Sequence, residues 1–447
     1  MSRRIYFDGL NLSLERGTGI ATYTRMLASV VRELGNQVGV VYSSPSRPAK
    51  NPLLREVSFF DTREAVRTTH RQEVYNAIVD QVHSAFGIKP QPVELTGAVI
   101  AQQFKSRLPT HDYVYLARNL FSNARRYFAW SGNFATLEFD TKPDVLHCTY
   151  QLPVRAKSAC NVYTVHDLVP LRLPFTTLDN KRQTYRLLRK IAAEADHIVT
   201  VSENSKRDIV QLLGVDEERV TNTYQAVDFP RQYVERPLEL VAEHLYSTFR
   251  LEMGSYLLFY GAFEPKKNIA RLIEGYLMSA VDLPLVILGP AGWGTTSESK
   301  LLDQLRADAD GGRPRSTGPG NAGRTGPGRR VYRFEYATLP MLVTLIRGAR
   351  AVLFPSLYEG FGLPVLEAMQ LGTPVVTSRA SSIPEIAGEA ALYVNPYEVE
   401  DIAQAIKAIC GDDGLCEDLV RRGRVQAELF SVERYRDRVA ALYAKLV

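Results

Sequence analysis

The chain has 447 residues, 45% apolar and 23% charged, with 54 Lys and Arg against 49 Asp and Glu. That length exceeds one ordinary core and predicts two domains of about 200 residues, while a net charge of +5 does not require nucleic acid and suits a surface that meets phosphates or anionic lipid. Cys148, Cys160, Cys410 and Cys416 form no C-x-x-C pair and indicate neither a zinc site nor a disulfide framework. No apolar run approaches the ~20 residues of a membrane span, and MSRRIYFDGL reads as a strand, not a signal peptide. A cytoplasmic protein is expected, with any membrane contact peripheral.

A first strand, Arg4 to Phe7, leads through a loop to a helix from about Ile20 to Leu34. Gly17-Thr18-Gly19 stands where that helix begins. It fails the G-x-G-x-x-G fingerprint at Thr22, but its place after the first strand makes it a candidate contact for phosphate or acceptor. Val38 to Tyr42 predicts a second strand. Residues 43–141 have no clear alternation. Within them Arg71 to Phe86 fits an amphipathic helix, and Arg118 to Trp130 interleaves arginines with aromatics, which suits a glycan, a membrane surface or a plain solvated helix face. Strands return at Asp144 to Cys148 and Asn161 to Val165, the second ending in His166. That is the strand end at which open α/β sheets bind ligands. A basic helix, Asn180 to Ala195, follows. Then come a strand, His197 to Val201, a helix capped by Ser202, and a strand from Val220 to Tyr224.

Alternation lapses over 226–253, which reads as a connection with a helix. Six strands are then expected: Tyr256 to Tyr260, Leu285 to Leu288, Val331 to Phe334, Ala351 to Phe354, Pro374 to Thr377 and Ala391 to Val394. Helices between most of them predict a doubly wound parallel sheet. The Gly-, Pro- and Arg-rich stretch 311–330 reads as a flexible surface loop. Asp308-Ala309-Asp310 spells a metal-binding D-x-D pair, read here as chance.

The densest chemistry lies in LFPSLYEGFGLPVLEAM. A glycine loop leaves a strand and enters a helix with Pro364 expected at its first position, an arrangement that favours anions. Glu359 precedes the glycines and Glu367 follows eight residues later. Carboxylates beside a phosphate site repel it unless hydroxyl groups intervene. A diphosphate flanked by two polyol rings satisfies both, and a nucleotide sugar is such a ligand. On another strand, GAFEPKKN supplies Gly261 for a close turn, Lys266 and Lys267 to neutralise a departing diphosphate, and Asn268 to cap the next helix.

With GTGIATYTRML, VHDLVPL, ADHIVTVSENSKRDI, LLFYGAFEPKKNIARLIEGY, LVILGPAGWG, FPSLYEGFGLPVLEAM, GTPVVTS and SIPEIAGEAALYVNP, the chain resembles the retaining glycosyltransferases of family 4, in their mannosyltransferase-like branch. The resemblance covers most of the chain except about 43–141 and 311–330, and E-x7-E is its most specific part. It implies the GT-B fold: two Rossmann-like doubly wound parallel-sheet domains facing each other across a cleft. Residues 1–225 would form the acceptor-side domain, 226–253 the connection and 254–426 the nucleotide-sugar domain. The helical segment 427–447 would pack back toward the first domain.

The resemblance also implies roles. Glu367 would hold the ribose hydroxyls and Glu359 the hydroxyls of the transferred sugar. Gly360, Phe361, Gly362 and Leu363 would present backbone to the diphosphate, with Gly261 and Lys266 nearby. Lys267 would pair with the diphosphate, His166 would hydrogen-bond the donor sugar, and Gly17 to Gly19 would line the cleft. Many members carry arginine after the glycine where this chain has Ala262, so Lys266 and Lys267 would carry more of the leaving group's charge. Transfer would retain configuration on the donor's front face, with no protein nucleophile, metal or cofactor. The expected activity is transfer of a hexose, best mannose from a GDP-sugar, to a glycan or lipid-linked acceptor in bacterial polysaccharide or lipopolysaccharide synthesis, at most peripherally on the inner membrane face. Alternatives are a UDP-sugar donor on the same fold, or a catalytically weak nucleotide-sugar-binding scaffold.

Overall fold

The structure, a computed structural model, describes residues 2–14, 19–46, 48–61, 79, 84–100, 108–290 and 331–446. It divides into two compact units. One comprises Met1–Leu168, Asp179–Ala226 and Glu433–Val447, the other Val169–Leu178 and Val227–Val432.

In the first unit the strands are β1 (Arg4–Asp8), β2 (Gln37–Ser44), β3 (Gln91–Pro92), β4 (Tyr113–Arg118), β5 (Ala135–Leu137), β6 (Val145–Cys148), β7 (Val154–Ala156), β8 (Cys160–Thr164), β9 (His197–Thr200) and β10 (Val220–Asn222). Among the described residues they form a sheet in the order β10-β9-β8-β6-β1-β2-β4-β3, with β5 and β7 paired separately. All neighbours in the main sheet are parallel except β3 on β4. The chain winds outward in both directions from the β1/β6 boundary, the kind of order reversal at which such sheets bind ligands. Ile5, Tyr6 and Phe7 are all fully buried. A strand covered on both faces carries no alternation, which is why it reads as an apolar run. Asn180 and Ser202 cap the helices Lys181–Glu194 and Glu203–Leu213, accepting from the amides of Gln183 and Ser205 at 3.1 and 3.0 Å.

Strand β4 was not expected from the sequence. Helix Leu120–Ser131 follows it with Phe121, Tyr127 and Phe128 buried, and with Arg125, Arg126 and Trp130 exposed. The arginine–aromatic mix is therefore a helix whose aromatics mostly serve the core. The helix predicted from Arg71 to Phe86 falls almost wholly outside the described residues, as do Asp308 to Asp310 and 311–330.

The second unit holds β11 (Leu257–Tyr260), β12 (Leu285–Leu288), β13 (Val331–Phe334), β14 (Ala351–Phe354), β15 (Val375–Ser378) and β16 (Leu392–Val394). Its sheet is parallel in the order β13-β12-β11-β14-β15-β16. The order reverses between β11 and β14, and both sequence motifs leave the sheet there. No helix among the described residues is long and apolar enough to cross a membrane.

Candidate active site

Lys267 ends a single 3-10 turn, Pro265–Lys267, just beyond β11. Its Nζ lies 2.7 Å from Glu359 Oε1 and 4.7 Å from the centre of the Phe354 ring. The two side chains are only 12% and 8% exposed. Burial alone would lift the Glu359 carboxyl, but the Lys267 and Lys266 ammonium groups outweigh it and hold the carboxyl below its ordinary value. The sequence offered these residues as separate ligands for diphosphate and sugar; in the structure they pair with each other. Lys266 lies 3.7 Å from Glu264.

The glycine loop is clamped from behind. The Glu359 amide donates to Ser381 Oγ at 2.7 Å, and the Ser382 hydroxyl bonds the carbonyls of Glu359 and Phe361, each at 2.9 Å. Phe361 packs edge-on against Phe430 at 5.7 Å. Gly362, at φ +106°, turns the chain into helix Leu363–Gln370 and offers no capping side chain. Leu363, not Pro364, is the first helical residue. Pro364 in second place still removes an N–H that the first turn leaves unbonded.

Glu367 sits one turn into that helix, half-buried. Burial pushes its carboxyl up to about 7; the Tyr260 hydroxyl and Lys267 pull it back only in part. Tyr260 ends β11 and donates to the Pro364 carbonyl at 2.9 Å, which ties the first turn of the helix to the neighbouring strand. Asn268 stands at the start of helix Ile269–Ser279 but does not cap it. Its backbone is left-handed (φ +60°), and its amide donates to the carbonyls of Pro355 and Pro396 at 3.1 and 2.6 Å. It stitches the β11 and β14 exits together.

In the first unit His166 follows β8. Its Nε2 donates to the Thr149 carbonyl at 2.9 Å, its ring lies edge-on to Tyr23 at 4.9 Å, and its own carbonyl accepts from Ser205 Oγ at 2.9 Å. Burial holds the imidazole below its ordinary pKa, against the Thr149 bond and Asp167. A neutral ring with Nε2 committed leaves Nδ1 as a hydrogen-bond acceptor. Gly19 opens helix Gly19–Glu33; Gly17 and Thr18 lie outside the described residues.

Sequence reasoning passed over Tyr260 and Arg333. The Arg333 guanidinium lies 4.8 Å over the Phe263 ring, with Nε and Nη2 buried and unpaired among the described residues. A cation contributed by β13 thus packs on Phe263, the residue after Ala262. Only the sheet order, not any spacing in the chain, brings it there.

Two family models match: Glycosyltransferase Family 4 over residues 98–231 and group 1 glycosyl transferases over 322–426. The O-antigen chain mannosyltransferase B of Escherichia coli is 32% identical over 292 residues, 64% of this chain and 69% of that protein. The chain belongs to the family 4 glycosyltransferases. A second relative of this transferase, the serotype-specific mannosyltransferase WbdA of Escherichia coli, is 28% identical over 60% of this chain but only 31% of its own length. Among solved structures, HepE of Anabaena in complex with UDP and glucose superposes with a TM-score of 0.63 at 14% identity, over 99% of this chain and 100% of that one. The transferase has the GT-B fold, with two parallel-sheet α/β units.

Proposed function

We propose that this glycosyltransferase moves a hexose, with mannose from a GDP-sugar favoured, onto a glycan or lipid-linked acceptor in bacterial polysaccharide synthesis, with retention of configuration. The observation that carries it is the cluster at the β11/β14 reversal, where Lys267, Glu359, the Gly360–Gly362 loop and Glu367 converge on one strand-order reversal. The mannosyltransferase names of its relatives support the choice of sugar.

In this reading Glu367 takes the ribose diol as a carboxylate. Lys267 and the amides entering helix Leu363–Gln370 take the diphosphate, and their cationic field acts mainly as the leaving group departs. Once Lys267 turns to the phosphate, Glu359 is released to the hydroxyls of the sugar. His166 Nδ1 accepts from a sugar hydroxyl. The departing phosphate takes the proton of the acceptor hydroxyl on the same face, so no side chain serves as nucleophile and no metal is used. Exposed Arg182, Arg186 and Arg189 on helix Lys181–Glu194 favour peripheral contact with anionic lipid. A UDP-sugar is the second reading, favoured by the UDP seen in the HepE complex.

A thermal-shift panel of GDP-, UDP-, ADP- and dTDP-sugars tests the donor, since a ligand bound only by the native state raises the melting temperature. GDP-mannose is expected to give the largest shift and to support turnover in chelator. A larger shift with a UDP-sugar overturns the GDP assignment. Turnover abolished by chelator and restored by manganese overturns metal-free transfer.

A further inference from the structure

Asp8 closes β1 beside the strand-order reversal of the first unit. Its side chain is 2% exposed. Burying a carboxyl is costly unless hydrogen bonds compensate, and those found for Asp8 come from uncharged donors. Oδ2 accepts both the amide and the hydroxyl of Thr149, at 2.5 and 2.8 Å, and Oδ1 accepts the Leu10 amide at 3.3 Å. Thr149 is fully buried just past β6, and Thr24 Oγ1 lies 2.8 Å from its hydroxyl. One oxygen gripping both donors of one residue holds its N–H, Cα and side chain in place, and so anchors the carbonyl carbon one bond further on. That carbonyl accepts the Nε2–H of His166, which follows β8. Strands β1, β6 and β8 are consecutive in the sheet. A hydrogen-bonded chain, Asp8 to Thr149 to His166, therefore crosses three neighbouring strand ends.

We infer that Asp8 is a positioning residue for transfer: it sets the Thr149 carbonyl, which locks the His166 ring in its Nε2–H tautomer and keeps Nδ1 as the acceptor presented to substrate. The inference rests on the role of His166 at the donor sugar proposed above. A purely structural Asp8 would tie β1 to β6 without affecting the ring.

The test uses Asp8→Ala and Asp8→Asn in the full-length chain, each with and without His166→Ala. Turnover, donor KM and melting temperature are measured. Nitrogen-15 NMR of the histidine rings reports the tautomer, with His166 assigned by its loss in His166→Ala. Asp8→Ala is expected to lower kcat about 10- to 100-fold, as small misplacements near reacting groups do, with donor KM changed less than about twofold. In the His166→Ala background the same change is expected to have no further effect on kcat. The ring signal is expected to move from one tautomer to a mixture. Asp8→Asn keeps the shape and must turn its NH2 toward either Thr149 or Leu10, so an intermediate loss is expected; it serves alone if the alanine variant does not fold. An equal kcat loss with and without His166, or an unchanged tautomer in the folded Asp8 variants, overturns the inference. Unimpaired turnover of His166→Ala overturns instead the role of His166, and the ring spectra still decide whether Asp8 sets the tautomer.

Discussion

Lys267 and Glu359 hold each other at 2.7 Å with both side chains nearly out of water. Removing one partner of such a pair leaves a buried charge uncompensated and costs about 3–5 kcal/mol, whereas replacing both with apolar or neutral groups of similar size is often nearly neutral. Lys267→Met and Glu359→Gln are therefore each expected to lower the melting temperature clearly. The double variant should recover most of that stability while turnover stays about 100-fold or more below the parent. Thermal melts and kcat on the four proteins check this; a double variant that recovers turnover sinks the assignment. Glu367 makes a separate pH prediction. Burial raises its native carboxyl to about 7 against an ordinary 4.5, with Tyr260 and Lys267 pulling it down only in part. The native state keeps this proton where the unfolded chain has lost it, so the contribution to stability declines as pH rises from 4.5 to about 7. Glu367→Gln should remove that slope. Donor binding should ionise the group, because a ribose diol donates to a carboxylate. A nucleotide sugar has no phosphate pKa near 7, so at pH 7 about half a proton should be released from the protein on binding. Calorimetry in two buffers of different ionisation enthalpy measures it, and zero release removes Glu367 from the ribose.

At the scale of elements, the turn from β14 into helix Leu363–Gln370 depends on one backbone angle. A Cβ added to Gly362 would meet nothing nearer than Ile383 Cγ1 at 3.8 Å, so space is not the obstacle; φ +106° is. Strain of this kind costs about 1–3 kcal/mol. Gly362→Ala is expected to fold, to melt a few degrees lower, and to raise the donor KM about tenfold by moving the amides that meet the diphosphate. An unchanged KM in the folded variant would falsify the diphosphate role of the loop. This turn was legible in the sequence because its chemistry is local: an apolar run, two glycines and a proline within a dozen residues. Buried strands such as β12 and β14 were legible for the same reason. The Lys267–Glu359 pair was not, since its partners stand 92 positions apart and meet only because β11 and β14 are neighbours. The Asp8–Thr149 bond spans 141 positions across the corresponding reversal of the first unit. Strand β4 was missed because its turn into helix Leu120–Ser131 is made by Asn119 at φ +45°, a left-handed position that glycine would have flagged.

For the whole molecule, the first unit is completed by residues from the far end of the chain. Tyr435, Val439, Leu442 and Tyr443 of helix Val432–Leu446 are at most 2% exposed. The Tyr443 hydroxyl bonds His147 Nδ1 at 2.7 Å, while burial pushes that imidazole down to about 3 and so keeps it neutral. Lys445 Nζ donates to the Glu218 carbonyl at 2.6 Å. Burying four such side chains contributes about 1.5–3 kcal/mol each, roughly 6–12 in all. That is comparable to the entire stability of a typical domain, about 5–15 kcal/mol. Residues 1–226 expressed alone, although they hold every strand of the first sheet, are therefore expected not to fold cooperatively. The same fragment with 433–447 rejoined through a flexible linker should regain a cooperative melt, and Tyr443→Ala in that fusion should lose it again, since it opens a core cavity and strands His147. Near-UV circular dichroism and thermal melts of the three proteins decide the matter: a cooperative transition in 1–226 alone, at the temperature of the fusion, would mean that the final helix only rests on a unit already complete.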